Sequence, residues 1–140
     1  MSNIAYAKAF IMVIDDSRTV RKMLQVALSR EGYAGATFVD GETAIRWLNG
    51  PALRTPDLVL LDLCLPLMNG YQVARSLRSI PQCKYTRIVM LTRRNCIVDR
   101  LQAQLAGVNS YLTKPFTQKE ILSTVQRQLF VRSKQCLAMR

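Results

Sequence analysis

Two apolar patterns alternate along the chain. One is a short run rich in aliphatic, β-branched or aromatic residues, found at residues 10–14, 33–39, 58–61, 87–91 and 110–113. Runs of this length, bounded by turn residues, predict strands. The other pattern places an apolar residue at every third or fourth position. Between Ser17 and Arg30 it falls on Val20, Met23, Leu24, Ala27 and Leu28. It recurs at residues 42–49, 71–79 and 97–106, and from Thr117 onward on Ile121, Leu122, Val125 and Leu129. That spacing predicts helices with one face turned to a core. The stops agree: Gly32, Asn49-Gly50-Pro51, Pro81 and Gly107 each follow a helical stretch, where glycine and proline end helices. Thr117 with Glu120 three residues on is the pattern of a capping box.

Five strand–helix units in strict alternation predict an α/β domain, a parallel sheet with helices on both faces. The length of 140 residues suits one domain. We expect an N-terminal extension at 1–9, the domain at 10–130 and a basic tail at 131–140. The last segment, VRSKQCLAMR, reads equally as a helix extension, a frayed tail or the start of a linker.

Composition narrows the function. Apolar residues make up 49% and charged residues 21%, so wholesale disorder is excluded. No apolar run approaches a membrane span and the N-terminus is not a signal peptide, so a cytoplasmic protein without membrane insertion is expected. Lys and Arg outnumber Asp and Glu by 20 to 9, a net charge of +11. Such a surface attracts nucleic acid, anionic membrane or an acidic partner without choosing among them. There is no His, which removes Ser-His-Asp triads and most zinc sites. Cys64, Cys83, Cys96 and Cys136 form no CxxC pair and read as free thiols.

Ligands of open parallel sheets bind beyond the carboxyl ends of the strands. There the chain places Asp15 and Asp16, Asp62, Thr92 and Lys114. Asp62 lies in LVLLDLCLP, where an ionised carboxylate is costly unless paired or metal-bound. Asp15 and Asp16 also read as acids at a helix start. Two adjacent carboxylates facing a third, with no His, favour Mg²⁺, which takes oxygen ligands. A carboxylate can act as a nucleophile toward phosphorus, and phosphoryl transfer needs mainly positioning and charge stabilisation. In that chemistry Asp62 attacks, while Thr92 and Lys114 cover the phosphoryl oxygens.

These segments, VIDDSRTVRKML, PDLVLLDLCLPLMNGYQVARSLR, the Thr after IVML, and YLTKPFTQKEIL, resemble the receiver domain of bacterial two-component response regulators over residues 10–130. The branch most similar is that of single-domain regulators of chemotaxis and twitching motility. The resemblance implies a flavodoxin-like fold of five strands in the order 2-1-3-4-5 flanked by five helices. It implies that Asp62 accepts phosphate from a sensor histidine kinase or a phosphotransfer protein. Asp16, Asp62 and the backbone carbonyl of Cys64 would bind Mg²⁺, with Asp15 acting through water. Thr92 and Tyr111 would form the switch pair and Lys114 would contact the phosphoryl group, with the Lys114–Pro115 bond cis. A downstream protein would dock on the face of the fourth helix, fifth strand and fifth helix. By its residues alone, Tyr111 reads as an ordinary core or strand aromatic.

Some positions depart from the family. The residue after Thr92 is Arg93 rather than a small one. A cation there can screen donor entry, pair with Asp62 or clamp a phosphoryl oxygen. Arg94 reads as a solvated basic residue, yet it and Cys64 stand where the family tunes phosphoryl lifetime. Only six acids lie outside the Asp15, Asp16 and Asp62 cluster, but charge without a motif supports only nonspecific contact, so specific DNA binding is not expected. An aspartate-based phosphohydrolase would need a second acid two residues after Asp62, where Cys64 stands, so the chain is read as a non-enzyme. The alternative is a degenerate receiver acting as a phosphorylation-independent scaffold.

Overall fold

The computed structural model describes residues 8–51, 54–93 and 100–138. Five parallel strands form one sheet in the order β2-β1-β3-β4-β5: β1 (Phe10–Ile14), β2 (Ala34–Phe38), β3 (Leu58–Asp62), β4 (Arg87–Arg93) and β5 (Ser110–Lys114). Between and after them run α1 (Arg18–Arg30), α2 (Gly41–Asn49), α3 (Gly70–Arg78), α4 (Arg100–Leu105) and α5 (Gln118–Ala138). The expected fold class and strand order are those observed. A single 3-10 turn at Pro81–Cys83, which the sequence pattern does not announce, joins α3 to β4.

Strand residues alternate between two cores, because successive side chains point to opposite faces of a sheet. Met12, Ile14, Val59, Leu61, Ile88 and Met90 meet α2, α3 and α4 on one side. Ile11, Val13, Leu58, Leu60, Val89 and Leu91 meet α1 and α5 on the other. The inner strands β1 and β3 are buried along their whole length, hence their unbroken apolar runs.

Side-chain caps set the helix starts. Ser17 Oγ accepts from the Val20 N–H at 3.3 Å, and Asp40 Oδ1 from the Thr43 N–H at 2.7 Å. Asn69 with Gln72, and Thr117 with Glu120, form reciprocal capping boxes.

Several boundaries shift from the sequence expectation. Strands 3, 4 and 5 each run on past the apolar stretch, to Asp62, Arg93 and Lys114. The ladder continues there through Asp62 opposite Leu91, Thr92 opposite Thr113 and Arg93 opposite Lys114. Backbone pairing does not depend on side-chain polarity, so the sheet delivers its polar residues from within the strands. Of the expected fourth helix, residues 97–99 lie outside the described residues. The segment after Phe130 continues α5 as far as Ala138.

Candidate functional site

The carboxyl ends of β1, β3, β4 and β5 converge as the topology requires. Asp15 follows β1 directly, Asp62 ends β3, Thr92 is the penultimate residue of β4 and Lys114 ends β5. Asp15 is fully buried and Asp62 is 1% exposed, while Asp16 is exposed. Each of the three acids offers an oxygen within 4.8 Å of the others.

Asp15 is the best anchored. Its Oδ1 accepts from the Ser17 N–H at 2.9 Å and its Oδ2 from Lys114 Nζ at 2.7 Å. Its backbone carbonyl accepts from Arg21 Nη1 at 2.7 Å. Asp62 is held less completely. Its Oδ1 accepts from the Cys64 N–H at 3.2 Å. Its Oδ2 is buried with no hydrogen-bond partner, and the nearest cation, Lys114 Nζ, lies 3.6 Å away. Burial pushes the Asp62 carboxyl above its ordinary range, and the Asp15 carboxylate adds to the push. Lys114 and the Cys64 N–H pull the other way, and the neighbouring Asp16 raises it again.

An oxygen-only donor set with one buried, unbonded carboxylate oxygen fits a hard divalent cation of the Mg²⁺ kind. The fit rests on two features, the mutual closeness of the three acids and the orphaned Asp62 Oδ2.

The loop after β3 is held tightly behind the acid. The Gly70 N–H donates to the Leu63 carbonyl at 2.8 Å. A Cβ at Gly70 would lie 2.8 Å from the Asp62 carbonyl oxygen and 2.7 Å from Met90 sulfur. Glycine is therefore required where α3 begins, for close approach of backbone to strand end. The sequence shows Asn69-Gly70 only as a turn signal.

Thr92 is 4% exposed, and its hydroxyl donates to the Arg93 carbonyl at 3.3 Å rather than to an acid. Tyr111 stands opposite Met90 on the neighbouring strand, and Thr113 opposite Thr92. By strand alternation Thr92 and Tyr111 share one face of the sheet. The Tyr111 ring is partly exposed beneath the Arg100 guanidinium, 6.0 Å away, and packs against the core on the α4 side of the sheet. The Lys114–Pro115 bond is cis.

Arg93 is exposed and lines a cleft of about 430 Å³ with Val20, Met23, Lys114 and Phe116. Among the described residues it is Lys114, not Arg93, that pairs with Asp62. Lys114 is the shorter cation and faces the acids from the adjoining strand end, whereas Arg93 points to solvent. Arg94 and Cys96 lie outside the described residues. Cys64, Cys83 and Cys136 form no disulfide. Arg21, which steadies Asp15 from one turn inside α1, carries no sequence signal that separates it from the other surface arginines of that helix.

The family model for the response regulator receiver domain matches residues 11–126. The protein PilG of Pseudomonas aeruginosa is 30% identical over 116 residues, covering 83% of this chain and 84% of PilG. Among solved structures, the chemotaxis protein CheY4 of Vibrio cholerae superposes with a TM-score of 0.78 at 30% identity, over 86% of this chain and 98% of CheY4. The receiver domain of the sensor histidine kinase PA1611 of Pseudomonas aeruginosa, crystallised with a magnesium ion in its active-site cleft, gives 0.76 at 28% identity, over 88% and 98% of the two chains. The chain spans about half the length of the mycobacterial DNA-binding response regulators that it also matches.

Proposed function

This chain belongs to the response regulator receiver family, the signalling modules of two-component systems, and from that premise we propose that Asp62 is its phosphoacceptor. The observation that carries the reading is the buried Asp62 Oδ2, without a hydrogen-bond partner, 3.6 Å from Lys114 Nζ and beside two further acids. A lone pair on Asp62 Oδ2 forms a bond to the phosphorus of a phosphohistidine on a sensor kinase or phosphotransfer protein. The P–N bond breaks with its electron pair returning to the imidazole, which takes a proton from water. Lys114, tied to Asp15, stands ready to meet the phosphoryl oxygens. Asp15, Asp16, Asp62 and the Cys64 backbone carbonyl would hold Mg²⁺, which when bound neutralises charge on the acids and the transferring group.

The new phosphoryl group brings charge and acceptor oxygens. The Thr92 hydroxyl exchanges its 3.3 Å bond to the Arg93 carbonyl for one to the phosphoryl group. The space it leaves admits the Tyr111 ring, which repacks the face of α4, β5 and α5 for a downstream protein. Residues 10–130 form the signalling unit, working on the cytoplasmic side as a binding module rather than a phosphoester hydrolase, and without specific DNA contact. Arg93, at the cleft beside Lys114, tunes access of the donor.

The test is binding of beryllofluoride, a mimic of the aspartyl phosphate, in the presence of MgCl₂, followed by amide NMR. Trp47 is a poor reporter because it lies on α2 against Phe10 and Phe38. Saturable shifts at residues 62–64, 92 and 111–114 that vanish in Asp62→Asn and without MgCl₂ are expected. No binding in a folded protein would overturn the phosphoacceptor reading and leave the constitutive scaffold.

A further inference from the structure

We propose a second ligand site, at the opposite end of β4 from Asp62, that takes a phosphate-bearing molecule of nucleotide size. A depression of about 480 Å³ opens there, lined by Arg78, Lys84, Tyr85, Arg87, Gln104 and Gln135 among others. It is within the size range of small-molecule sites. Arg87 begins β4 and Thr92 lies five positions on, so the depression is roughly 16 Å from the acidic cluster along the strand.

Among the described residues, the charges of this depression have no counterion. Three cations line it, and no lining residue is a carboxylate. Every hydrogen bond of the Arg78 guanidinium goes to a neutral oxygen: the carbonyls of Gly107, Cys83 and Thr86 and the Asn109 side chain. Arg87 donates only to the side-chain oxygens of Gln128 and Gln135, at 2.9 and 3.2 Å, which leaves other N–H donors of its fork uncommitted among the described residues. Asp57, whose backbone pairs with Arg87, turns its carboxylate away to the Phe10 N–H, Arg132 and Arg54. Burial lowers the pKa of both guanidiniums, and the Arg87 charge lowers that of Arg78 further, as expected of like charges brought together without an anion.

A multiply charged anion supplies what is missing. Arg78 has spent its donors on the protein and contributes field. Lys84 and Arg87 can donate directly to phosphate oxygens. A lone inorganic ion would leave most of the 480 Å³ empty. The half-buried Tyr85 ring, with Lys84 Nζ 5.5 Å from its centre, offers a flat surface for the organic part of the ligand.

The probe is ATP without divalent cations, in about 0.1 M salt to screen nonspecific attraction. Binding is read by calorimetry and amide NMR on the whole chain, with pyrophosphate as the comparison. The expected shifts cluster at residues 84–87, 104–109 and 135. Lys84→Gln, an exposed change, weakens binding about tenfold or more, as loss of a charged phosphate contact should. Arg87→Gln, checked for folding, does the same, and Tyr85→Leu weakens ATP but not pyrophosphate. Asp62→Asn leaves ATP binding unchanged. The proposal falls if ATP does not bind, if shifts spread over the basic surface or centre on Asp62, if Lys84→Gln has no effect, or if pyrophosphate binds as tightly as ATP.

Discussion

At the scale of single residues, Asp62 is held in tension. It is buried beside Asp15, and its pKa is raised by desolvation first and by that neighbour second. The folded state therefore keeps the Asp62 proton to a higher pH than the unfolded chain does. Its contribution to stability falls as pH rises from the ordinary carboxyl range through the raised value, and the penalty is complete above it. Asp62→Asn removes that charge without orphaning Lys114, which keeps Asp15 at 2.7 Å. In EDTA the variant should be more stable than wild type at pH 7.5, because it removes the cost of holding a charged carboxylate in that buried place. The gap should close as pH falls toward 4. Urea unfolding at both pH values checks this, and an equal gap at both would refute it.

At the scale of elements, Arg78 joins four pieces of chain that share no apolar pattern. From the end of α3 it reaches the 3-10 turn at Cys83, Thr86 just before β4, and the turn before β5 at Gly107 and Asn109. Arg78→Leu should cost about 2–4 kcal/mol, because partly buried carbonyls lose charged partners. Arg78→Lys should recover little, since a single ammonium cannot reproduce a planar fork. Chemical denaturation of the three proteins measures both. The same scale explains the end of α5. Phe130 and Leu137 are each 62% exposed, so the last turns carry no apolar stripe from which a helix is legible. They are tied down through Gln128 and Gln135, whose side chains accept from Arg87 across the sheet edge. A contact spanning 41 and 48 positions leaves no trace in local periodicity.

At the scale of the whole molecule, the charge of +11 opposes compaction. The thermal midpoint, followed by circular dichroism, should rise as NaCl increases from about 0.01 to 0.15 M, because the screening length shortens from about 30 to about 8 Å. MgCl₂ at matched ionic strength should raise it further through the three acids, and should do so less in Asp15→Asn. A fall in midpoint with NaCl would mean that the few ion pairs outweigh the repulsion.

What the sequence by itself determined is what depends on order and period. Alternating apolar patterns specify five strand–helix units, because a parallel strand must be followed by a crossover. The crossover brings every strand's carboxyl end to one edge, so Asp15, Asp16, Asp62, Thr92 and Lys114 converge whatever the loop details. Only the tertiary structure decided which of them touch. Lys114 lies closer to Asp15 than to Asp62, the Thr92 hydroxyl turns to its own backbone, and Arg93 faces solvent instead of pairing with Asp62. Those outcomes depend on ångström-scale offsets between strand ends and on side-chain directions, which periodicity does not carry. The uncompensated arginines at the far end of β4 belong to the same class. Each reads alone as a surface cation, and only folding brings Arg78, Lys84 and Arg87 around one depression that no acid among the described residues lines.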